Sequence, residues 1–164
     1  MYVYCLFCRT QRCDRIAEVL QCCGVDHAFS PKIVGRHRRK GILLDQTYDL
    51  LPGYVFVYSE QEWQDLTPYR WVDGLLHHVG RVEDGRELTG ADRTFALDLL
   101  DLEGCVRPAT LIQEGEQVRL QDSFFAGGRG TVTRVDYKRQ RARVSFTFDG
   151  LDCSVWIAVN TIRL

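Results

Sequence analysis

The chain has 164 residues, 45% hydrophobic and 26% charged, a globular composition that excludes a disordered or fibrous protein. That length suits one domain or two small ones. The net charge of −1 is uneven: residues 1–106 carry 12 Lys/Arg against 16 Asp/Glu, and residues 107–164 carry 9 against 6. The basic end is therefore either a local polyanion contact or an ordinary solvated surface.

From the start, Met1 to Cys8 is too short and too poor in charge for a signal peptide, and no stretch approaches the ~18 apolar residues of a membrane span. Seven cysteines, an odd number, do not form a secreted disulfide framework, so reduced thiols in a cytoplasmic monomer are expected. Tyr2 to Arg9 reads as a strand. Cys5 and Cys8, three positions apart on it, point to opposite faces and cannot share one metal ion. A helix follows from Cys13 or Asp14 to Cys23, with Asp14 as cap, Gly24 as stop, and Cys23 in register with the buried Ile16, Val19 and Leu20.

His27 to Val34 reads as a strand, and the glycine-bracketed Gly35-Arg36-His37-Arg38-Arg39-Lys40-Gly41 as an exposed turn. Ile42 to Leu51 returns to the Pro52-Gly53 turn, and Gly53 to Tyr58 is the clearest strand of this half. Ser59-Glu60-Gln61-Glu62 is a capping-box pattern that opens a short helix ending near Pro68. Leu75 to Val79 is a further strand. Thr89-Gly90-Ala91-Asp92 starts a helix with Phe95, Leu99 and Leu102 on its apolar face and Gly104 at its end. This order predicts an α+β fold, an N-terminal α/β sandwich with helices on an antiparallel sheet, over residues 1–104. Cys105 to Ile112, with Pro108 inside, reads as a linker. Residues 113–164 then carry strands at Glu116–Leu120, Gly130–Asp136, Arg141–Phe148, Ser154–Ile157 and Thr161–Leu164, a small five-stranded β-barrel.

Three constellations could carry function. Proline fixes one angle of the Leu51-Pro52-Gly53-Tyr54 turn and glycine permits the next. The strand beyond it alternates Tyr54, Phe56 and Tyr58 on one face; those rings either pack under a helix or present a contact surface. Arg36, Arg38, Arg39 and Lys40 put four fixed charges in five residues, suited to phosphates or to a solvated tip. The barrel adds Arg119, Arg129, Arg134, Lys138, Arg139, Arg141 and Arg143, a set suited to phosphate, whose arginines can also stack on exposed bases. The chain lacks GxxxxGK[ST], GxSxG and HExxH, and no nucleophile is paired with a base, so no enzyme, cofactor or metal is expected.

Tyr2-Val3-Tyr4-Cys5-Leu6-Phe7-Cys8-Arg9-Thr10, Leu51-Pro52-Gly53-Tyr54-Val55-Phe56-Val57-Tyr58, and Glu114–Leu120 running into Gly127–Asp136 occur in this order across nearly the whole chain. Together they resemble the NusG family of transcription elongation factors. The resemblance implies an NGN-like first domain and a KOW barrel of SH3-like type, with Gly115 and Gly130 at its tight turns. It implies that Phe7, Pro52, Tyr54 and Phe56 dock on the β′ clamp helices of bacterial RNA polymerase. It also implies that Trp63, Gln64 and Asp65 touch the β gate loop and that the basic turn lies near upstream or non-template DNA. Phe148-Asp149-Gly150 stands where the general factor has Phe-Gly-Arg, and Trp156 where it has an acid, which speaks against Rho or a ribosomal protein as the barrel's partner. The compact chain is closer in look to specialised paralogues such as LoaP and RfaH. The expectation is an operon-specific antiterminator whose barrel binds an RNA hairpin. The alternatives are the general factor and a ribosome-associated or free RNA-binding KOW protein.

Overall fold

The computed structural model describes residues 1–63, 66–81 and 85–164. In chain order its elements are β1 (Tyr2–Cys8), α1 (Cys13–Cys22), β2 (His27–Phe29), β3 (Lys32–Arg39), β4 (Ile42–Asp49), β5 (Tyr54–Ser59) and β6 (Leu75–Val79). These are followed by α2 (Gly90–Asp101), β7 (Cys105–Val106), β8 (Ala109–Glu114), β9 (Gln117–Gln121), β10 (Gly130–Asp136), β11 (Arg141–Phe148) and β12 (Leu151–Arg163). Among the described residues no helix is long and apolar enough to cross a membrane. The chain divides into two compact units, one of residues 1–31 and 51–104, the other of residues 32–50 and 105–164.

The first unit is an antiparallel sheet of order β2-β5-β1-β6 with a helix on each face. Tyr4, Leu6, Val55 and Val57 point to the α1 side, where Ile16, Ala17 and Leu20 close the core. On the opposite face Phe56 meets Phe95 of α2, ring centroids 6.5 Å apart, and the Tyr58 hydroxyl donates to the carbonyl of Ala96 at 2.5 Å. Burial drives the Tyr58 phenol strongly upward, so it stays a neutral donor. Gly104 ends the α2 turn at φ +79°, and a Cβ there would sit 2.6 Å from the Phe29 ring. Both the angle and the space require glycine.

Several local readings change. Asp14 lies in the first turn of α1, where a carboxylate favours the helix dipole, but Arg12 occupies the cap position and its side chain makes no capping bond. Cys23 is exposed, because α1 ends one residue earlier and its 3.6-residue period no longer applies. Ser59 starts no helix in residues 59–63; its Oγ accepts from the Gln61 N–H at 3.1 Å as the last residue of β5. The single strand expected from His27 to Val34 is two, broken at Ser30-Pro31, since proline fixes φ and offers no N–H to a ladder. That break is where the chain passes from the first unit to the second.

The second unit is a curled sheet of order β10-β11-β12-β8-β9 together with the β3–β4 hairpin and its short parallel partner β7. Its core is the inner face of alternating strands, Leu111, Ala142, Val144, Phe146, Phe148 and Ile157. Residues 105–112 are not a linker: Cys105 and Val106 pair with β3, and Ala109–Glu114 is a strand whose Leu111 and Ile112 are buried. The last two expected strands are one, β12, which runs antiparallel to β11 up to Ala158 and then parallel to β8 from Val159. A strand that changes partners part-way along curls the sheet without a turn residue to mark the change.

Candidate functional site

Three rings form a row across the first unit's sheet. Phe7 on β1 stands directly opposite Tyr54 on β5 and His77 on β6. The Phe7 and Tyr54 centroids are 5.5 Å apart at 70°, an edge-to-face pair, and Phe7 and His77 stack at 5.2 Å and 25°. Phe7 and Tyr54 are half-buried and His77 is exposed. The His77 Nδ1 lies 2.9 Å from the carbonyl of His78, which places a proton on that nitrogen and fixes the ring plane.

The adjoining turn sets the row's edge. Pro52 is exposed, Gly53 has φ +89°, and the Tyr54 N–H returns to the Leu51 carbonyl at 3.1 Å, a type II turn. A Cβ at residue 53 would lie 3.1 Å from the Phe7 ring and 3.3 Å from the Cys8 carbonyl. Glycine therefore lets turn and strand meet, and the Cys8 N–H donates to the Gly53 carbonyl at 2.7 Å. Burial pushes the Cys8 thiol up to about 12, so it stays protonated at neutral pH.

Phe56 does not belong to this surface. It is 0% exposed, opposite Cys5, and enclosed by Phe29 and Phe95. It shares a face with Tyr54, and on that face α2 packs on Phe56 through Phe95 and on Tyr58 through Ala96. Trp63 is likewise a packing residue, half-buried between the Tyr4 ring at 5.7 Å and the Tyr69 ring at 4.8 Å, its backbone N–H donating to the Tyr4 hydroxyl. Gln64 and Asp65 lie outside the described residues.

The second unit gathers the positive charge. Regrouping residues 32–50 with 105–164 gives 14 Lys/Arg against 8 Asp/Glu, a balance of +6; the remaining segments hold 7 against 14, or −7. The basic stretch is mostly strand, with only Lys40 and Gly41 in the turn, at φ 51° and 78°, a type I′ pair. Arg36 is 10% exposed; its guanidinium binds both oxygens of Asp45, at 2.6 and 3.3 Å, and donates to the carbonyls of Val159 at 2.8 Å and Gln140 at 3.3 Å. Arg38 donates to the carbonyl of Lys138 at 2.8 Å. Both side chains thus fasten the hairpin to the barrel.

The barrel's arginines divide similarly. Arg141 lies over the Trp156 ring at 4.3 Å, Arg129 over Phe124 at 4.4 Å, and Arg143 donates twice to the Ser154 hydroxyl. Arg139 pairs with Asp136 at 3.1 Å, and Arg119 reaches Glu114 only at 4.0 Å. Arg39, Lys40, Arg134 and Lys138 are exposed.

The Arg36 fork holds the Asp45 carboxyl below the usual carboxylate range. A carboxyl depressed in the folded state adds stability above its unfolded value, about 3.9, and loses it as pH falls through the folded value. The expected result is an Asp45 titration midpoint below ~3.9 in an NMR pH series. The hairpin should loosen from the barrel only below about pH 4. A midpoint at or above the ordinary value contradicts the clasp.

No family model matches the chain. It is 46% identical over 122 residues to the transcription termination/antitermination protein NusG of Escherichia coli, an alignment covering 73% of this chain and 64% of that protein. The NusG proteins of Vibrio cholerae, 32% identical over 101 residues, and of Buchnera aphidicola, 30% over 122, align over 60% and 71% of this chain. The chain belongs to the NusG family. The aligned part spans 56% to 65% of the length of these curated relatives. Within this NusG-family chain, sequence reasoning singled out Phe7, Pro52 and Tyr54 but missed His77. The alternation of His77 and Val79 on β6 was the available signal, but a bulge puts Leu75 opposite Cys8, and the register that sets His77 against Phe7 is not local.

Proposed function

We propose that the chain is a transcription elongation and antitermination factor that acts by binding, without chemistry of its own. Its ring row, Tyr54–Phe7–His77 with Pro52 at the edge, docks on the paired clamp helices of the RNA polymerase β′ subunit. The observation that carries this reading is a row of three half-buried to exposed rings, Phe7 packed on both Tyr54 and His77, on the sheet face where α2 packs on Phe56 and Tyr58. Rigid aromatic groups with few rotatable bonds lose little entropy on docking, which suits them as anchors. The name shared by the relatives supports the general role. Held against the clamp, the first unit would keep the cleft closed and suppress pausing and termination.

The second unit, at +6, supplies a nucleic-acid contact, and we take its partner to be an RNA hairpin of a specific operon, as in specialised paralogues. A second reading is a general factor whose barrel binds Rho or a ribosomal protein; the relatives' name, termination as well as antitermination, supports a role in termination. Titrating the full chain with structured RNA and with Rho separates the two. The docking itself is tested by affinity capture of RNA polymerase on the immobilised chain. Capture by the wild type and at least tenfold weaker capture by Tyr54→Ser or His77→Ala is expected; equal capture by all three sinks the reading.

A further inference from the structure

We propose that Cys22 and Cys23, adjacent at the end of α1, form a two-thiolate site for a soft, thiophilic centre that two sulfurs satisfy, of the monovalent copper or mono-organo-arsenic(III) kind. Both thiols are free and exposed, and both line one open groove together with Arg15, Glu18, Val19 and Trp71. The other five cysteines are enclosed or stand apart. Cys5, Cys8 and Cys13 are at most 3% exposed. Cys105 and Cys153 are half-buried on separate strands, and desolvation pushes their thiols upward. Reading Cys23 as part of the buried helix face conceals this pair in the sequence.

The backbone decides what the pair can do. Cys22 is the last residue of α1 and Cys23 its cap, with the Cys23 N–H bonded back to the carbonyls of Val19 and Leu20 at 3.0 Å. Gly24 then turns the chain at φ +97°, its N–H reaching the Gln21 carbonyl at 3.1 Å while the Val25 N–H reaches that of Leu20 at 3.5 Å, a Schellman close. Across the trans peptide that joins the two cysteines, their Cα atoms stand about 3.8 Å apart, short of the ~4.4–6.8 Å that a disulfide bridges. Oxidation to a disulfide would break open this pinned last turn. A bridging atom would not: two metal–sulfur bonds of about 2.3 Å set the sulfurs roughly 4 Å apart, where a direct S–S bond holds them at about 2 Å.

Coordination number narrows the centre. Among the described residues no group of three or more His, Cys, Asp or Glu is placed to hold a metal. Zinc, which takes four ligands in a closed site, is therefore not satisfied here, whereas thiolates alone suit monovalent copper. Arg15 and Glu18 on the same groove neutralise each other at 3.2 Å, so a hard cation finds no spare carboxylate beside the thiols. Copper binding releases the two thiol protons and leaves an anionic bis-thiolate complex. An organo-arsenic(III) oxide instead loses its oxygen with both thiol protons as one water, and arsenic stays trivalent. Trp71, 67% exposed and fixed by its Nε1–H donating to the Pro68 carbonyl at 2.9 Å, holds an indole on the same groove. That ring covers a bound ion or packs on the organic group of an arsenical.

The test uses the reduced full chain and two separate probes, copper(I) buffered by bicinchoninate and phenylarsine oxide, each in excess glutathione. Glutathione strips a soft centre from a single thiol but competes poorly with a chelating pair, whose second sulfur closes intramolecularly. One copper or one phenylarsenic group per chain is expected, the arsenic mass mapping to a peptide that contains both cysteines. Tryptophan emission should change on binding, and Trp71→Phe should remove that change without altering the stoichiometry. The probe that resists the higher glutathione concentration names the centre. Cys22→Ser or Cys23→Ser alone should weaken binding by about a hundredfold or more with unchanged melting, while Cys153→Ser leaves it intact. Single-cysteine variants that bind as tightly as the wild type overturn the proposal, as does label carried by Cys105 or Cys153. Failure of both probes to bind overturns it as well, and none of these outcomes bears on polymerase docking.

Discussion

Phe56→Ala is expected to destabilise the first unit by about 3–5 kcal/mol, the cost of emptying a fully enclosed aromatic site. The ring is 0% exposed and fills the space between Phe29 and Phe95, so its loss leaves a cavity beneath α2. That cost approaches the whole stability of a small domain. Any loss of function in this variant is therefore a loss of fold, read as a lowered urea midpoint and a lost near-ultraviolet signal. Tyr54→Ser and His77→Ala remove partly or fully exposed rings and should change stability by no more than about 1 kcal/mol. Two rings on one face of one strand thus separate into a structural and a binding class. If Phe56→Ala melts with the wild type, the sealed core described for this face is wrong.

Arg36→Met carries the second large effect, about 2–3 kcal/mol in the second unit. Methionine keeps much of the apolar stem but removes the fork that binds Asp45 and the carbonyls of Gln140 and Val159. Those acceptors are then left without their donor, and the barrel turn loses its anchor on the hairpin. Urea unfolding followed by a probe in the barrel measures the loss, and faster amide exchange at Arg38 and Val159 locates it. An arginine that was merely part of a solvated tip would change stability by less than about 0.5 kcal/mol.

These two residues also mark how far the sequence could be read. The Pro52-Gly53 turn, β5, β6, α2 with its glycine stop and the strand β11 all rest on local rules, and each is found where those rules put it. Phe56 failed for a different reason. A period of two tells which face a side chain takes but not which positions on that face a helix packs on, and α2 packs on Phe56 and Tyr58. Arg36 failed because its partners at Gln140 and Val159 lie 104 and 123 residues away. No neighbouring residue announces such a contact, so the hairpin was read with the half of the chain that surrounds it. The proline at 31 was the one local hint that the chain leaves the first sheet there. Treating residues 105–112 as a linker weighed Pro108 above the apolar pair Leu111 and Ile112, which the parallel contact with β12 buries.

The division of charge gives the structural grouping a consequence. Moving the hairpin into the second unit raises the contrast between the two parts from −4 and +3 to −7 and +6. An acidic unit with an apolar ring row and a basic unit with exposed cations suit two different partners, a protein surface and a polyanion. Salt should therefore weaken the two contacts unequally. Nucleic-acid affinity falls steeply with ionic strength, while ring docking, driven by apolar burial, responds little.

The most direct measurement is the dissociation constant of the full chain for core RNA polymerase, wild type beside Tyr54→Ser, His77→Ala and the double variant, each first shown to melt normally. Saturable binding by the wild type, a loss of at least tenfold in each single variant and its abolition in the double variant are predicted. Binding that is absent in the wild type, or unchanged in the double variant, contradicts a polymerase contact through these rings.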